Sequence, residues 1–453
     1  MNSSQNKLGE MPIGKLLVSM SVPMMISMLI QSLYNIVDGI FVAKLTEDAL
    51  TAVSLAFPLQ GVMTAVAVGT GIGVNALVSR SLGEGNPRRA EKAANVQVFL
   101  GVVYAAVTAV IGLFFSRSFF SFQTDVEPII EYGQQYLFIV CVFSLGLYFS
   151  QGFEKLLVGT GNSTPSMLSQ AAGAVINIVL DPVLIFGLGP VPALGVRGAA
   201  IATVIGQFAA AIIAYAFNLK CNQATRFHIR QMLPDMKILK FIFSVGFPSM
   251  VTIGLNSLMG YGMNAVFLRF STTAAAVYGI WIKLQSFGFM PVFGMNNGTI
   301  AIFSFNYGAK KHDRVIGTFR LSLTVGVIVT ALVAAFYIIA PVPLLELFSA
   351  SDYMTEIGVP ALRITAISMA FGAANVIVSS FCQSLGHARF TLFFNLLRQC
   401  ILQLPIAFAL SCFGRLNIVW FAPLIAELLA MGFGVYMVKK IFSKLRAEQR
   451  ELS

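Results

Sequence analysis

Long apolar runs separated by short polar segments follow one another along the whole chain. A membrane-spanning helix needs about 20 consecutive apolar residues, and the strands of a membrane barrel would instead appear as alternating segments of about 10 residues. The pattern therefore predicts an all-α integral membrane protein. Its twelve predicted spans are residues 14–42, 51–79, 93–116, 128–158, 165–189, 195–218, 239–268, 276–305, 316–341, 355–385, 390–413 and 417–438.

Composition agrees with this interpretation. The chain has 453 residues, of which 57% are hydrophobic and 11% are charged, whereas a soluble domain carries about 25% charged residues. The net charge of +11 would favour nucleic acid as a partner if the Lys and Arg residues were not confined to short clusters between apolar runs. We expect membrane lipid around the chain and no nucleic-acid partner.

Basic residues are distributed unequally between the two sides of the membrane. With both termini in the cytoplasm, 22 of the 30 Lys and Arg residues fall in cytoplasmic segments and only five in the opposite loops. Cytoplasmic loops of membrane proteins carry such an excess. We therefore predict a multi-pass plasma-membrane protein with cytoplasmic termini, in which Trp281 and Trp420 anchor the outer helix ends at the interface.

The two halves of the chain resemble each other at an offset of 225 residues. Gly69 recurs as Gly294, and Gly161 recurs as Gly386. Each half has six spans, so both halves have the same membrane orientation, and a pseudo-two-fold axis along the membrane normal should relate them, as in some secondary transporters.

This repeat sets the predicted organisation. An N-terminal lobe covers residues 1–218, a basic cytoplasmic linker covers 219–240, and a C-terminal lobe covers 241–453.

Two acidic residues stand inside spans of the first half in similar surroundings. Asp38 follows Asn35 by three positions, and Asp181 follows Asn177 by four, spacings that place residues on one helix face. An ionisable residue inside the membrane is costly and suggests function. At the repeat offset neither acid has an acidic counterpart, which predicts a polar site in the N-terminal lobe only.

A capping role remains open for Asp181. The Asp181-Pro182 pair is also typical of a helix N-cap with proline at the first helical position. Apolar helix continues on both sides of Asp38, so no such role fits that residue.

The second half offers a weaker candidate. Glu427 lies in the twelfth predicted span and Arg398 in the eleventh. They form either a buried structural ion pair or part of a C-lobe cation or substrate site. Lys283, near the outer end of the eighth span, is more simply explained by a side chain that reaches the interface.

Two further patterns limit the function. Gly69 and Gly73 within GTGIG have the spacing of close helix packing, since no strand precedes them as in a dinucleotide-binding loop. The chain has no GxxxxGK[ST] sequence, which disfavours ATP-driven transport. We expect no enzyme activity, no catalytic residues and no cofactor.

Seven segments distributed over nearly the whole chain carry a family resemblance. They are NIVDGIFV, GNSTPSM, NIVLDPVLIFG and GVRGAAIATVIGQ in the first half, and VYGIWIKLQSFGFMPVFGMNNG, NYGAKKHDRV and LLRQCILQLP in the second. Together they resemble the multidrug and toxic compound extrusion (MATE) family, in particular its bacterial MepA-like branch.

The resemblance implies two six-helix lobes around a central cavity. It also implies export of small organic cations or amphipathic drugs in exchange for H⁺ or Na⁺. The family's coupling-cation site maps onto Asp38, Asp181 and Asn177, with Thr203 as a further oxygen donor and a Na⁺ ion as one occupant. Acids that some relatives place in helices 7 and 10 correspond here to Asn256 and Asn375, which argues against a second cation site of that type.

Two alternatives lie in other classes. A flippase for lipid-linked precursors would need cationic side chains for a pyrophosphate. When basic residues near the span ends are counted with the adjoining segments, only Lys283, Arg363 and Arg398 lie within spans. A channel or scaffold would leave the one-sided acids unexplained. We expect a monomeric antiporter.

Overall fold

A computed structural model describes residues 3–188, 191–222 and 235–452, and within these residues the chain is helical. The helices are α1 (Ser3–Glu10), α2 (Ile13–Ala43), α3 (Glu47–Gly83), α4 (Pro87–Ser121), α5 (Glu127–Val142), α6 (Leu145–Gly159), α7 (Ser163–Phe186), α8 (Val196–Cys221), α9 (Met236–Leu268), α10 (Thr272–Gly308), α11 (His312–Ile339), α12 (Pro341–Glu346), α13 (Asp352–Ser384), α14 (Ala388–Leu396), α15 (Leu404–Ser411), α16 (Leu416–Val419) and α17 (Ala422–Leu452). A π-helical segment (Leu397–Gln403) joins α14 to α15. We call α1–α8 the first half and α9–α17 the second half.

The predicted all-α membrane fold is confirmed. Among the described residues, ten helical segments are long and apolar enough to cross a membrane, and the bent pair α5 and α6 forms an eleventh. The one predicted span not among these segments is the eighth, residues 276–305, which corresponds to the 37-residue helix α10. α10 carries polar side chains such as Asn296 and Asn297.

The fourth predicted span is not one continuous helix. Its two parts, α5 and α6, meet at an angle of 48°. The bend brings Gly146 so close to α8 that a Cβ atom there would lie 3.0 Å from the backbone nitrogen of Phe208. Gly146 therefore packs closely against α8 next to the break between α5 and α6.

The two halves meet through glycines on one side of the molecule. A Cβ atom at Gly73 of α3 would overlap the carbonyl of Ile242 in α9, and one at Gly294 of α10 would lie 2.6 Å from the backbone of Met25 in α2. The predicted packing role of the GTGIG glycines is therefore confirmed. These contacts lie toward the ends of the helices where both chain termini are found, which we call the terminal side.

The same four helices separate on the opposite side. A Cβ atom at Gly39 (α2), Gly61 (α3), Gly260 (α9) or Gly279 (α10) would meet no other atom within 4 Å. The halves are therefore in close contact on the terminal side and diverge away from it, which leaves a cleft that opens on the opposite side.

The two tryptophans belong to the core of the second half. Trp281 and Trp420 are 2% and 1% exposed. The Trp420 ring stacks on Phe267 with 4.1 Å between centroids, and Phe267 also stacks on Tyr278. The prediction of interfacial anchors is wrong, because this aromatic stack closes the end of the second half instead.

Much of the predicted linker, including His228, lies outside the described residues, so the lobe boundaries remain a prediction. Where the description resumes, Asp235 caps α9 and accepts a hydrogen bond from Lys92 at 2.8 Å. That hydrogen bond lowers the pKa of the Asp235 carboxyl below its ordinary value.

Replacing Gly73 with leucine should force the terminal side open, because the new side chain would overlap α9. We expect a stability loss of about 1–3 kcal/mol, seen as a lower melting temperature in detergent. Spin labels at the exposed positions Arg88 and Lys240 should report a longer distance by pulsed electron resonance. Gly61→Leu, on the same helix in open space, is the matched control, and equal distances in the two variants would contradict the packing role.

Candidate functional site

The acids of the first half lie on two packed helices, α2 and α7. Asp181 is fully buried, and α7 runs without interruption from Ser163 to Phe186 through Pro182. Asp181 is therefore not an N-cap, and that alternative is wrong. Proline has no N–H to donate, so Pro182 leaves the carbonyl of Ile178 without its helical partner one turn earlier.

Four buried oxygens at this site receive no hydrogen bond from the protein. They are both carboxylate oxygens of Asp181, Oδ1 of Asp38 and Oδ1 of Asn177. Asp38 and Asp181 are close enough to interact electrostatically, and both interact with the Tyr34 and Tyr136 hydroxyls. The arrangement concentrates acceptor atoms without donors, which suits a bound cation or proton.

Thr203 joins this cluster and Asn35 does not. The Asn177 amide donates to Thr203 Oγ1 at 3.5 Å. Asn35 is exposed on α2 beside the exposed side chains of Leu33 and Ile36. Three positions on a helix differ by about 60° in direction, which is enough to turn Asn35 away while Asp38 faces inward.

A cavity of about 90 Å³ extends from this cluster toward the terminal side. Its wall includes polar side chains from four helices, namely Ser27, Gln31, Tyr34, Gln151, Glu154, Gln170, Asn177, Thr203 and Gln207. Gln170 donates to Glu154 Oε2 at 2.5 Å and accepts from Ser27. The polar surface therefore continues from the acids to a third buried carboxylate.

Sequence reasoning missed Glu154 and its neighbour Lys155. Lys155, near the end of the fourth predicted span, is one of the 22 basic residues counted above as cytoplasmic. In the structure the Glu154 and Lys155 side chains are 2% and 6% exposed inside α6. The Lys155 ammonium donates to Asn297 Oδ1 in α10 at 2.7 Å, across the contact between the halves. Their position within the fourth predicted span was the available signal.

A second polar cavity, of about 230 Å³, lies in the second half. Arg398 Nη1 lies 3.6 Å from Glu427 Oε1, and Asn375 donates to Glu427 Oε2 at 2.6 Å. Gln399 donates to Asn256 Oδ1 at 2.8 Å. The structure thus brings Glu427, Arg398 and Asn256 to one cavity.

Lys283 lies apart from this cavity. Its side chain is exposed, with the ammonium 5.7 Å from the ring centre of Phe348. This placement agrees with the simpler interpretation of a lysine that extends toward the surface.

A family model, MatE, matches the chain twice, over residues 23–183 and residues 248–409. The chain belongs to the MatE family. The two matches begin at Pro23 and Pro248, which correspond to each other in the repeat. The resemblance inferred from the sequence is confirmed, and the chain is a multi-pass membrane transporter of the MatE family.

Curated relatives match along nearly their whole length. The multidrug export protein MepA of Staphylococcus haemolyticus is 24% identical over 448 residues, which cover 98% of this chain and 97% of that protein. MepA of Staphylococcus aureus is 24% identical over 446 residues, with 97% of each chain covered.

Solved structures share the fold. One described as the outward-facing conformation of a multidrug resistance MATE family transporter of the MOP superfamily is 25% identical, covers 99% of both chains and has a TM-score of 0.92. A MOP superfamily transporter from Pyrococcus furiosus, described as having a binding pocket of reverse polarity, is 25% identical with a TM-score of 0.88, and 98% of this chain and 99% of that chain are covered.

Removing the donor that serves Glu154 should destabilise the MatE fold. Gln170→Leu leaves a buried carboxylate without its hydrogen bond, and we expect a loss of about 1–3 kcal/mol, measured as a lower melting temperature. Gln207→Leu is the matched control, since Gln207 lines the same cavity and its Oε1 has no partner.

A second substitution checks the cause of that loss. Glu154→Gln added to Gln170→Leu removes the charge that was left unpaired and should restore part of the lost stability. If the double variant were no more stable than Gln170→Leu, the loss of stability would not come from an unpaired Glu154 carboxylate.

Proposed function

We propose that this protein is an antiporter that exports cationic amphipathic compounds from the cytoplasm in exchange for H⁺ or Na⁺. The observation that carries the proposal is the group of four donor-free oxygens on Asp38, Asp181 and Asn177. Buried charges in proteins are paired or hold a metal ion, and those that are neither take up a proton. A cation that binds there supplies the missing partner.

The position of this group relative to the cleft supports exchange. Asp38 and Asp181 lie in the parts of α2 and α7 away from the terminal side, where the halves diverge. An ion from the open side can reach them, whereas the glycine contacts close the terminal side. The ion and an organic cation would compete for the same negative charge.

Transport requires the opposite opening as well. The hydrogen bond from Lys155 to Asn297 and the glycine contacts must then separate, while the halves close on the other side. A ligand shifts this equilibrium only by binding the two conformations with different affinity. Release of the ion toward the terminal side therefore drives the cycle.

The direction of transport and the location of the protein are inferred from the distribution of charge and from the relatives. The excess of Lys and Arg on the terminal side supports cytoplasmic termini in a plasma membrane, and two relatives are named multidrug export proteins. The flippase alternative is less well supported, because Arg363 is exposed and donates to the carbonyl of Ile338, Lys283 is exposed, and only Arg398 faces a polar cavity.

Neutralising Asp181 should abolish ion coupling. In proteoliposomes, Asp181→Asn should reduce cationic dye transport under an imposed pH or Na⁺ gradient by about tenfold or more, because an amide cannot take up a proton or balance a cation. The wild-type protein should respond to one of the two gradients, which identifies the ion.

Glu47→Gln is the control, since it neutralises an exposed acid at the start of α3. Full gradient-driven transport by Asp181→Asn would refute the assigned coupling site. A wild-type protein that conducts ions without exchanging dye would refute antiport.

A further inference from the structure

The cavities of the two halves occupy corresponding positions in the repeat. Residues that line the first cavity and residues that line the second are related by the repeat offset. The pairs are Gln31 with Asn256, Tyr34 with Met259, Gly173 with Arg398 and Ala174 with Gln399. The second cavity is therefore the counterpart of the first, with different chemistry.

The difference is the addition of a positive charge. Where the first half has the small residues Gly173 and Ala174, the second half has Arg398 and Gln399. The charged side chain that lines the first cavity is Glu154, whereas the second cavity holds an arginine and a glutamate side by side. A ligand there meets both signs of charge.

The π-helical segment explains how Arg398 reaches the cavity. Pro405 cannot donate to the carbonyl of Ile401, and its ring crowds that carbonyl in a regular α-helix. The wider turn with bonds between residues five apart places Arg398 and Gln403 on one side, and both line the cavity. Such segments are frequent at functional sites.

Two buried polar atoms at this cavity have no hydrogen-bond partner in the protein. Arg398 Nε is buried without an acceptor, and Gln399 Oε1, in a side chain 7% exposed, has no donor. Arg398 contacts Glu427 through one nitrogen at 3.6 Å, and Asn375 holds the other carboxylate oxygen. Buried polar atoms are normally satisfied, so the site has room for both an acceptor and a donor from a ligand.

Aromatic side chains form another part of the wall. Tyr278, Phe289 and Phe293 line the same cavity, and Phe293 is 39% exposed. Flat apolar rings pack on such surfaces in offset or edge-to-face geometry. The cavity therefore combines a charge pair with a surface for an aromatic ring.

We propose that the second cavity is a substrate subsite for aromatic zwitterions. The cationic group of the ligand binds Glu427, its carboxylate binds Arg398, and its ring packs against Phe289 and Phe293. The ligand thereby replaces the single contact between the two side chains with two charged contacts. This proposal rests on the proposed export function, because it names a substrate class for it.

Two matched dyes test the proposal by binding alone. A rhodamine with a free carboxyl group is a zwitterion, and its methyl ester is a cation of the same shape. Fluorescence anisotropy with purified protein should show the free acid binding about tenfold more tightly than the ester. Arg398→Gln should remove that preference by weakening the free acid, while the ester binds as before. Arg363→Gln, an exposed arginine of another span, is the control.

A second variant covers loss of folding. Arg398→Gln with Glu427→Gln removes both charges together and leaves no unpaired one, and it should bind neither dye preferentially. Equal affinity of wild-type protein for the two dyes, or a preference that persists in the folded double variant, would overturn the subsite.

The test of the substrate subsite and the test of the proposed antiport can fail independently of each other. Asp181→Asn should keep the dye preference while losing gradient-driven transport. A dye preference in a protein that shows no gradient-driven transport at all would overturn antiport and leave the binding site standing. Gradient-driven transport without a dye preference would overturn the binding site and leave antiport standing.

Discussion

A charge inside a membrane protein has no bulk water to hydrate it, so it needs a partner from the protein or from a ligand. Most buried charged groups described here have one. Lys155 donates to Asn297, Glu154 accepts from Gln170, and Glu427 lies beside Arg398. Asp181 has none, although it is the most deeply buried of these groups. This contrast separates charged side chains that have a partner within the protein from Asp181, whose carboxylate has none.

The internal repeat extends this contrast to the whole molecule. The first half keeps small residues beside its cavity and places unpartnered acids at one end, which suits a small cation. The second half fills the equivalent positions with Arg398 and Gln399 and balances them with Glu427. Duplicated frameworks thus carry two cavities of unlike chemistry within a single chain.

The helices and the burial of Asp38 and Asp181 within them were predictable because each depends on local pattern. The length of an apolar run predicts a membrane span, and a single acidic residue inside such a run is easily recognised in the sequence. Burial of Glu154 and Lys155 was not predictable in that way. They lie near the end of a span where charged residues usually meet water, and packing against other helices buries them. Glu154 accepts from Gln170 of α7, and Lys155 packs against Gly71 of α3 and donates to Asn297 of α10. The tryptophans show the same limit, since the stack with Phe267 joins distant parts of the chain.

The glycine contacts between the halves have a consequence for the speed of conformational change. At Gly73 and Gly294 the nearest atoms across the contact are backbone atoms. Dispersion attraction between atoms placed this closely falls steeply within the first ångström of separation. These contacts are therefore lost early when the terminal side opens, so they slow the first step of opening more than the later ones.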